Sequence, residues 1–138
     1  MPDAPEPLLL ERRVETGEDA FVQRVTADGA VWTWSTVSAD FDGGEWRFGA
    51  HEPEWTREAA LPPDVLAGLR AAITDSGFFA IADEHRPDVP VIHGSREVWS
   101  AELDGHRHTS TLHGRGTTQV PALATLGTAL DRALAKPA

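Results

Sequence analysis

VWSAELDGHRHTSTLH, residues Val98–His113, alternates apolar and polar side chains on both sides of Asp104-Gly105. That dipeptide suits a two-residue type I′ turn, because both central residues of such a turn take positive φ. The stretch therefore predicts a β-hairpin with strands at about 96–103 and 106–113. Its register places Leu103 opposite His106, Ala101 opposite His108 and Trp99 opposite Ser110. His106 and His108 then share a face with Leu103, Trp99 and Leu112, and His113 points the other way.

Working outward, a second Asp-Gly pair at Asp28-Gly29 predicts another hairpin, with strands near 20–27 and 30–37. A two-residue turn there sets Val25 opposite Trp32 and Gln23 opposite Trp34, so that Phe21, Val25, Trp32 and Trp34 form the core face. Gly43-Gly44 offers a further reversal into a third strand carrying Trp46 and Phe48. The segment His51–Ala59 is either a short fourth strand or a covering loop.

LPPDVLAGLRAAITDSGFF, residues 61–79, reads as a helix punctuated at both ends. Pro62-Pro63 opens it, Asp64 meets the dipole in the first turn, and Gly77 follows the last turn. Leu66, Leu69 and Ile73 fall on one face. A second amphipathic helix begins near Pro121 and carries Leu123, Leu126, Leu130 and Leu134. Neighbouring strands interrupted by helices, without βαβ alternation, predict an α+β domain. It has a single antiparallel sheet of about five strands and both helices packed on one face, in the order β-β-β-α-β-β-α. Residues 1–19, rich in prolines and acids with only Leu8–Leu10 as an apolar run, read as a flexible arm. Residues 20–138 form the domain.

Composition narrows the functions. At 138 residues and 41% hydrophobic content the chain can bury one core. A net charge of −10 and the absence of any Lys/Arg run argue against nucleic acid. Having no cysteine, the chain has no disulfide, thiolate site or cysteine nucleophile. MPDAPEPLLLERR lacks the basic start and long apolar stretch of a signal peptide, and Leu8–Leu10 is too short to span a membrane, so a cytoplasmic location is expected.

The succession REAALPPDVLAGLRAAITDSGFFAI, a charged loop, VWSAELDGHRHTSTLHG and a Pro-initiated Leu-rich helix resembles the emfourin family of small bacterial metalloprotease inhibitors. The resemblance covers roughly residues 57–134. It rests on the Leu-Pro start, the Leu-x-x-Leu helix, Gly77-Phe78-Phe79 and the strand through Gly105–Thr109. It implies an antiparallel sheet backed by two helices, and protein binding rather than catalysis. The first half here is longer and tryptophan-rich, a departure from the family pattern.

Four groups of residues are candidates for a site. His106 and His108, at i and i+2 on a strand, could chelate an ion only if Asp83, Glu84, His85, Asp88 or His93 supplied further ligands, and the plainer reading makes them rim residues beside Trp99. No metal or cofactor is expected. The loop Asp83-Glu84-His85-Arg86-Pro87-Asp88 gathers carboxylates and an imidazole, which suit either acid/base chemistry or the binding of a protein partner. HGRGTTQVP, residues 113–121, lacks the Gly-Lys-Ser/Thr ending of a P-loop and reads as a strand-to-helix connection with Thr117 or Thr118 as a cap. Of the five tryptophans, Trp55 stands in an irregular segment where it could anchor a partner.

The leading expectation is a non-catalytic, inhibitor-like protein-binding module that uses the 80–95 loop, with Asp83, Glu84, His85, Asp88 and Trp55 as its contacts and a protease as one candidate partner. The alternative is a small-molecule binder or enzyme with a pocket formed by His106, His108, Trp99 and Trp34. A monomer or weak homodimer is expected in either case.

Overall fold

The computed structural model describes residues 4–16, 19–42, 45–50, 54–86, 95–113 and 120–135, and for the 37–50 ribbon the backbone alone. Six strands precede the first helix: β1 (Leu8–Thr16), β2 (Asp19–Thr26), β3 (Ala30–Ser35), β4 (Val37–Asp42), β5 (Glu45–Ala50) and β6 (Thr56–Ala60). Then come α1 (Pro63–Asp75), a 3-10 turn (Phe78–Ala80), β7 (Glu84–His85), β8 (Ser95–Leu103), β9 (His106–His113) and α2 (Pro121–Leu134). The domain is α+β. Its main sheet has seven strands in the order β6-β3-β2-β1-β8-β9-β7, and β4 and β5 form a separate two-stranded ribbon. All pairings are antiparallel except β7 with β9, so the sheet is mixed and larger than the five antiparallel strands expected.

The largest correction concerns the expected arm. Residues 8–16 are not an arm but β1, the strand that joins the two halves of the sheet, paired on one side with β2 and on the other with β8. A bulge between Leu8 and Leu10 interrupts the alternation, and all three leucines are buried as a result. The charged residues that follow find partners remote in sequence: Arg12 with Asp131 of α2, Glu11 with Arg24, and Glu15 with Arg96. Arg24 itself is buried and paired with both Glu6 and Glu11, so residues 5–7 are held against the sheet as well.

Both helices pack on one face, as expected, and a single core joins them to the sheet. Leu10, Val25, Val31, Trp99, Ala101 and Leu112 come from the strands, Leu69 and Ile73 from α1, and Leu123, Leu126 and Leu130 from α2. The helix ends follow their punctuation. Pro63 opens α1 after Pro62, and Gly77 takes the left-handed conformation at φ 76° just beyond its end. Pro121 opens α2 in the same way; Val120 is its N-cap, and Thr117 and Thr118 lie outside the described residues.

The hairpin at Asp104-Gly105 has the expected register, with Leu103 opposite His106, Ala101 opposite His108 and Trp99 opposite Ser110. The one at Asp28-Gly29 does not. Val25 pairs with Val31, and Val22 with Trp34, one residue away from expectation. The slip sends Trp32 and Trp34 to the sheet face without helices, and Phe21 is left 43% exposed. The strand expected after Gly43-Gly44 exists as β5 but pairs only with β4. Of the two readings for the 51–59 segment, a strand is found in its second half, as β6 at the sheet edge, and residues 51–53 lie outside the described residues.

Candidate functional site

The segment after the 3-10 turn is fastened to β9 by three consecutive carbonyls. Nε2 of His108 lies 3.0 Å from the Ile81 carbonyl, the Ser110 hydroxyl donates to the Ala82 carbonyl at 2.8 Å, and the Thr111 N–H donates to the Asp83 carbonyl at 2.8 Å. A carbonyl only accepts, so Nε2 is the donor in this hydrogen bond. Its Nδ1 faces Asp83 Oδ1 at 3.8 Å, and the ring packs edge-on against the buried Phe78 at 5.1 Å between centroids. On the other face of the sheet, His113 Nε2 lies 3.5 Å from Glu84 Oε1.

These contacts leave the acidic side chains outward. Asp83 is 87% exposed and Glu84 57%, on a segment whose backbone is pinned and whose β7 residues form a sheet edge. His85 is half-buried and its Nε2 has no hydrogen-bond partner among the described residues. Asp88 and His93 lie outside the described residues. Trp55 does not join this group, since it precedes β6, the opposite edge, six strand spacings from β7. There it packs on Trp34 with centroids 6.4 Å apart, and the Arg24 guanidinium sits 5.9 Å above its ring.

A second feature adjoins the first. Between the Asp104-Gly105 turn and the C-terminal end of α1 lies an open cleft of about 580 Å³, lined by Thr74, Gly77 and Phe79 on one side and by Leu103, His106 and His108 on the other. It contains both histidines of the expected pocket and neither tryptophan. Trp99 is fully buried in the core, and Trp34 lies on the face of the sheet away from the helices. The expected four-residue pocket is therefore split.

Among the described residues no nucleophile is bonded to a base. His108 and Ser110 stand two residues apart on one face, the spacing of a possible base and nucleophile, yet each bonds a backbone carbonyl and neither bonds the other. Among the described residues no group of three or more His, Asp or Glu side chains could hold a metal ion. No helix among them is long and apolar enough to cross a membrane.

Sequence reasoning placed Asp83, Glu84, His106 and His108 as candidates but did not see that His108 and Ser110 hold the loop. The signal available was the alternation of His108, Ser110 and Leu112 on one face, which puts two hydrogen-bonding side chains where an ordinary strand would continue the core. No protein-family model matches the chain, and no curated protein matches it.

Proposed function

We propose that this protein is a non-catalytic protein-binding module of the protease-inhibitor kind, and that it meets its partner with the acidic segment at Asp83 and Glu84. The observation that supports this reading is the three-carbonyl fastening of residues 81–83. A loop held by His108, Ser110 and Thr111 has already lost its conformational freedom, so its exposed carboxylates meet a partner without a further ordering cost. A net charge of −10 adds long-range attraction for a basic surface.

The test is inhibition of a thermolysin-class metalloprotease acting on a peptide substrate. The wild-type chain should inhibit, and the double variant Asp83→Ala, Glu84→Ala should do so roughly tenfold less well. Absence of inhibition and of binding by the wild type rejects the inhibitor reading. Inhibition untouched by the double variant rejects this segment as the contact.

One observation favours a second reading, small-molecule binding. The cleft beside His106 and His108 has the volume of a ligand site, and its lining is mostly apolar with a few polar groups. Saturable binding of an aromatic probe such as indole, lost on filling the cleft with Ala80→Trp, would support it.

A further inference from the structure

The cleft and the acidic segment share a residue. His108 lines the cleft, and its Nδ1 lies 3.8 Å from the Asp83 carboxylate, so the two features form one continuous surface. Phe79, Ala80 and Leu103 give the cleft apolar walls. The charge around them is negative. Asp104 stands at the turn, and α1 ends at Asp75 with no basic residue in its last turn to offset the partial negative charge of its carbonyls.

Among the described residues Arg107 is the one arginine or lysine lining the cleft, and it is already engaged: its guanidinium donates to Glu6 Oε2 at 3.1 Å and to Glu102 Oε1 at 3.3 Å. Partial desolvation works against its charge, but those two carboxylates outweigh it and hold the group more firmly protonated than an ordinary arginine. An incoming anion would compete with both carboxylates. A ligand with an apolar centre and positive flanks would not.

We propose that the cleft seats an apolar side chain of the partner polypeptide, flanked on that partner by lysine or arginine residues that face Asp104 on one side and Asp83 on the other. This assignment rests on the protein-binding reading and specifies its anchor. Interfaces of this kind concentrate their affinity in a side chain buried in a pocket, with charged contacts around the rim.

The experiment is an NMR titration of the ¹⁵N-labelled full chain with the blocked peptide Lys-Lys-Phe-Lys-Lys. Shifts should centre on Phe79 and on Leu103–His108. Because a chain of charge −10 attracts any basic peptide, the deciding control is Lys-Lys-Ala-Lys-Lys, which should bind roughly tenfold more weakly. The variant Ala80→Trp, which fills the cleft from an exposed position, should weaken the phenylalanine peptide to the same degree. No shifts with the wild type, equal affinity for both peptides, or full binding by Ala80→Trp would each overturn the proposal. Loss in Ala80→Trp with full binding by Asp83→Ala, Glu84→Ala would sustain the cleft and reject the acidic segment. The reverse pattern would reject the cleft and sustain the segment.

Discussion

The two Asp-Gly hairpins share a dipeptide and differ in almost everything else. At Asp104-Gly105 both residues take positive φ, 52° and 81°, and the loop has two residues. At Asp28-Gly29 only the glycine does, at 91°, and Ala27-Asp28-Gly29 forms a three-residue loop closed by the Gly29 N–H to the Thr26 carbonyl at 2.9 Å. What surrounds each turn accounts for the difference. The Asp28 carboxylate accepts bonds from the Thr26 hydroxyl and, at 3.2 Å, from the Ala30 N–H, while the Gly29 carbonyl accepts from the Leu61 N–H at 2.8 Å. The first turn is thus built into the approach to α1. A Cβ placed at Gly105 would meet nothing within 4 Å, so local preference alone sets the second turn. A turn dipeptide fixes register only where nothing else touches it.

The largest expected effect separates the tryptophans of the two hairpins. Trp99, fully buried, should cost about 3–5 kcal/mol on replacement by alanine in urea unfolding. Trp32 is half-buried on the face away from the helices, and the same change should cost less than about 2 kcal/mol. Equal losses would restore the register in which Trp32 points into the core.

Next come the glycines. Gly105→Ala pays for left-handed backbone, about 1–2 kcal/mol. Gly29→Ala adds a Cβ 3.3 Å from the Leu66 side chain and 3.4 Å from the Leu61 carbonyl oxygen, so its loss should be larger by about 1 kcal/mol. A smaller loss at Gly29 would mean that the first turn is not built into its neighbours.

The smallest effect is in acid. Hydrogen bonds from Thr26, and then from the Ala30 N–H, hold the Asp28 carboxyl below its usual range. A lowered native value means that Asp28 contributes its full stabilisation above the ordinary carboxylate value, about pH 4, and loses it as the pH falls through the lowered one. The stability difference between wild type and Asp28→Asn should therefore be flat near neutrality and shrink below about pH 4. A difference unchanged at pH 2 would remove the carboxylate from the turn. Asp104→Asn keeps a residue suited to a type I′ turn and should stay within about 0.5 kcal/mol at neutral pH.

Features set by local chemistry were legible in the sequence. Pro62-Pro63, Gly77 and Pro121 marked the helices, and Asp104-Gly105 gave the β8–β9 register. β1 was not legible, because Glu11, Arg12 and Glu15 look solvated until Arg24, Asp131 and Arg96 are brought to them from elsewhere in the chain. The site was half legible for the same reason. The acids at Asp83 and Glu84 announced themselves, but the joining of β9 to the Ile81–Asp83 carbonyls is a long-range fact.

The position of β1 bears on how the chain is assembled on the ribosome. Leu10 must pair with Ala101, so the sheet cannot close until β8 has been synthesised. Until then β6, β3, β2 and β1 can form only one half of the sheet, and its β1 edge is the row of donors and acceptors that β8 will later cover. Such a nascent chain exposes a pairing edge from the emergence of β1 until residues 95–103 follow, and closure of the sheet waits on that long-range pairing.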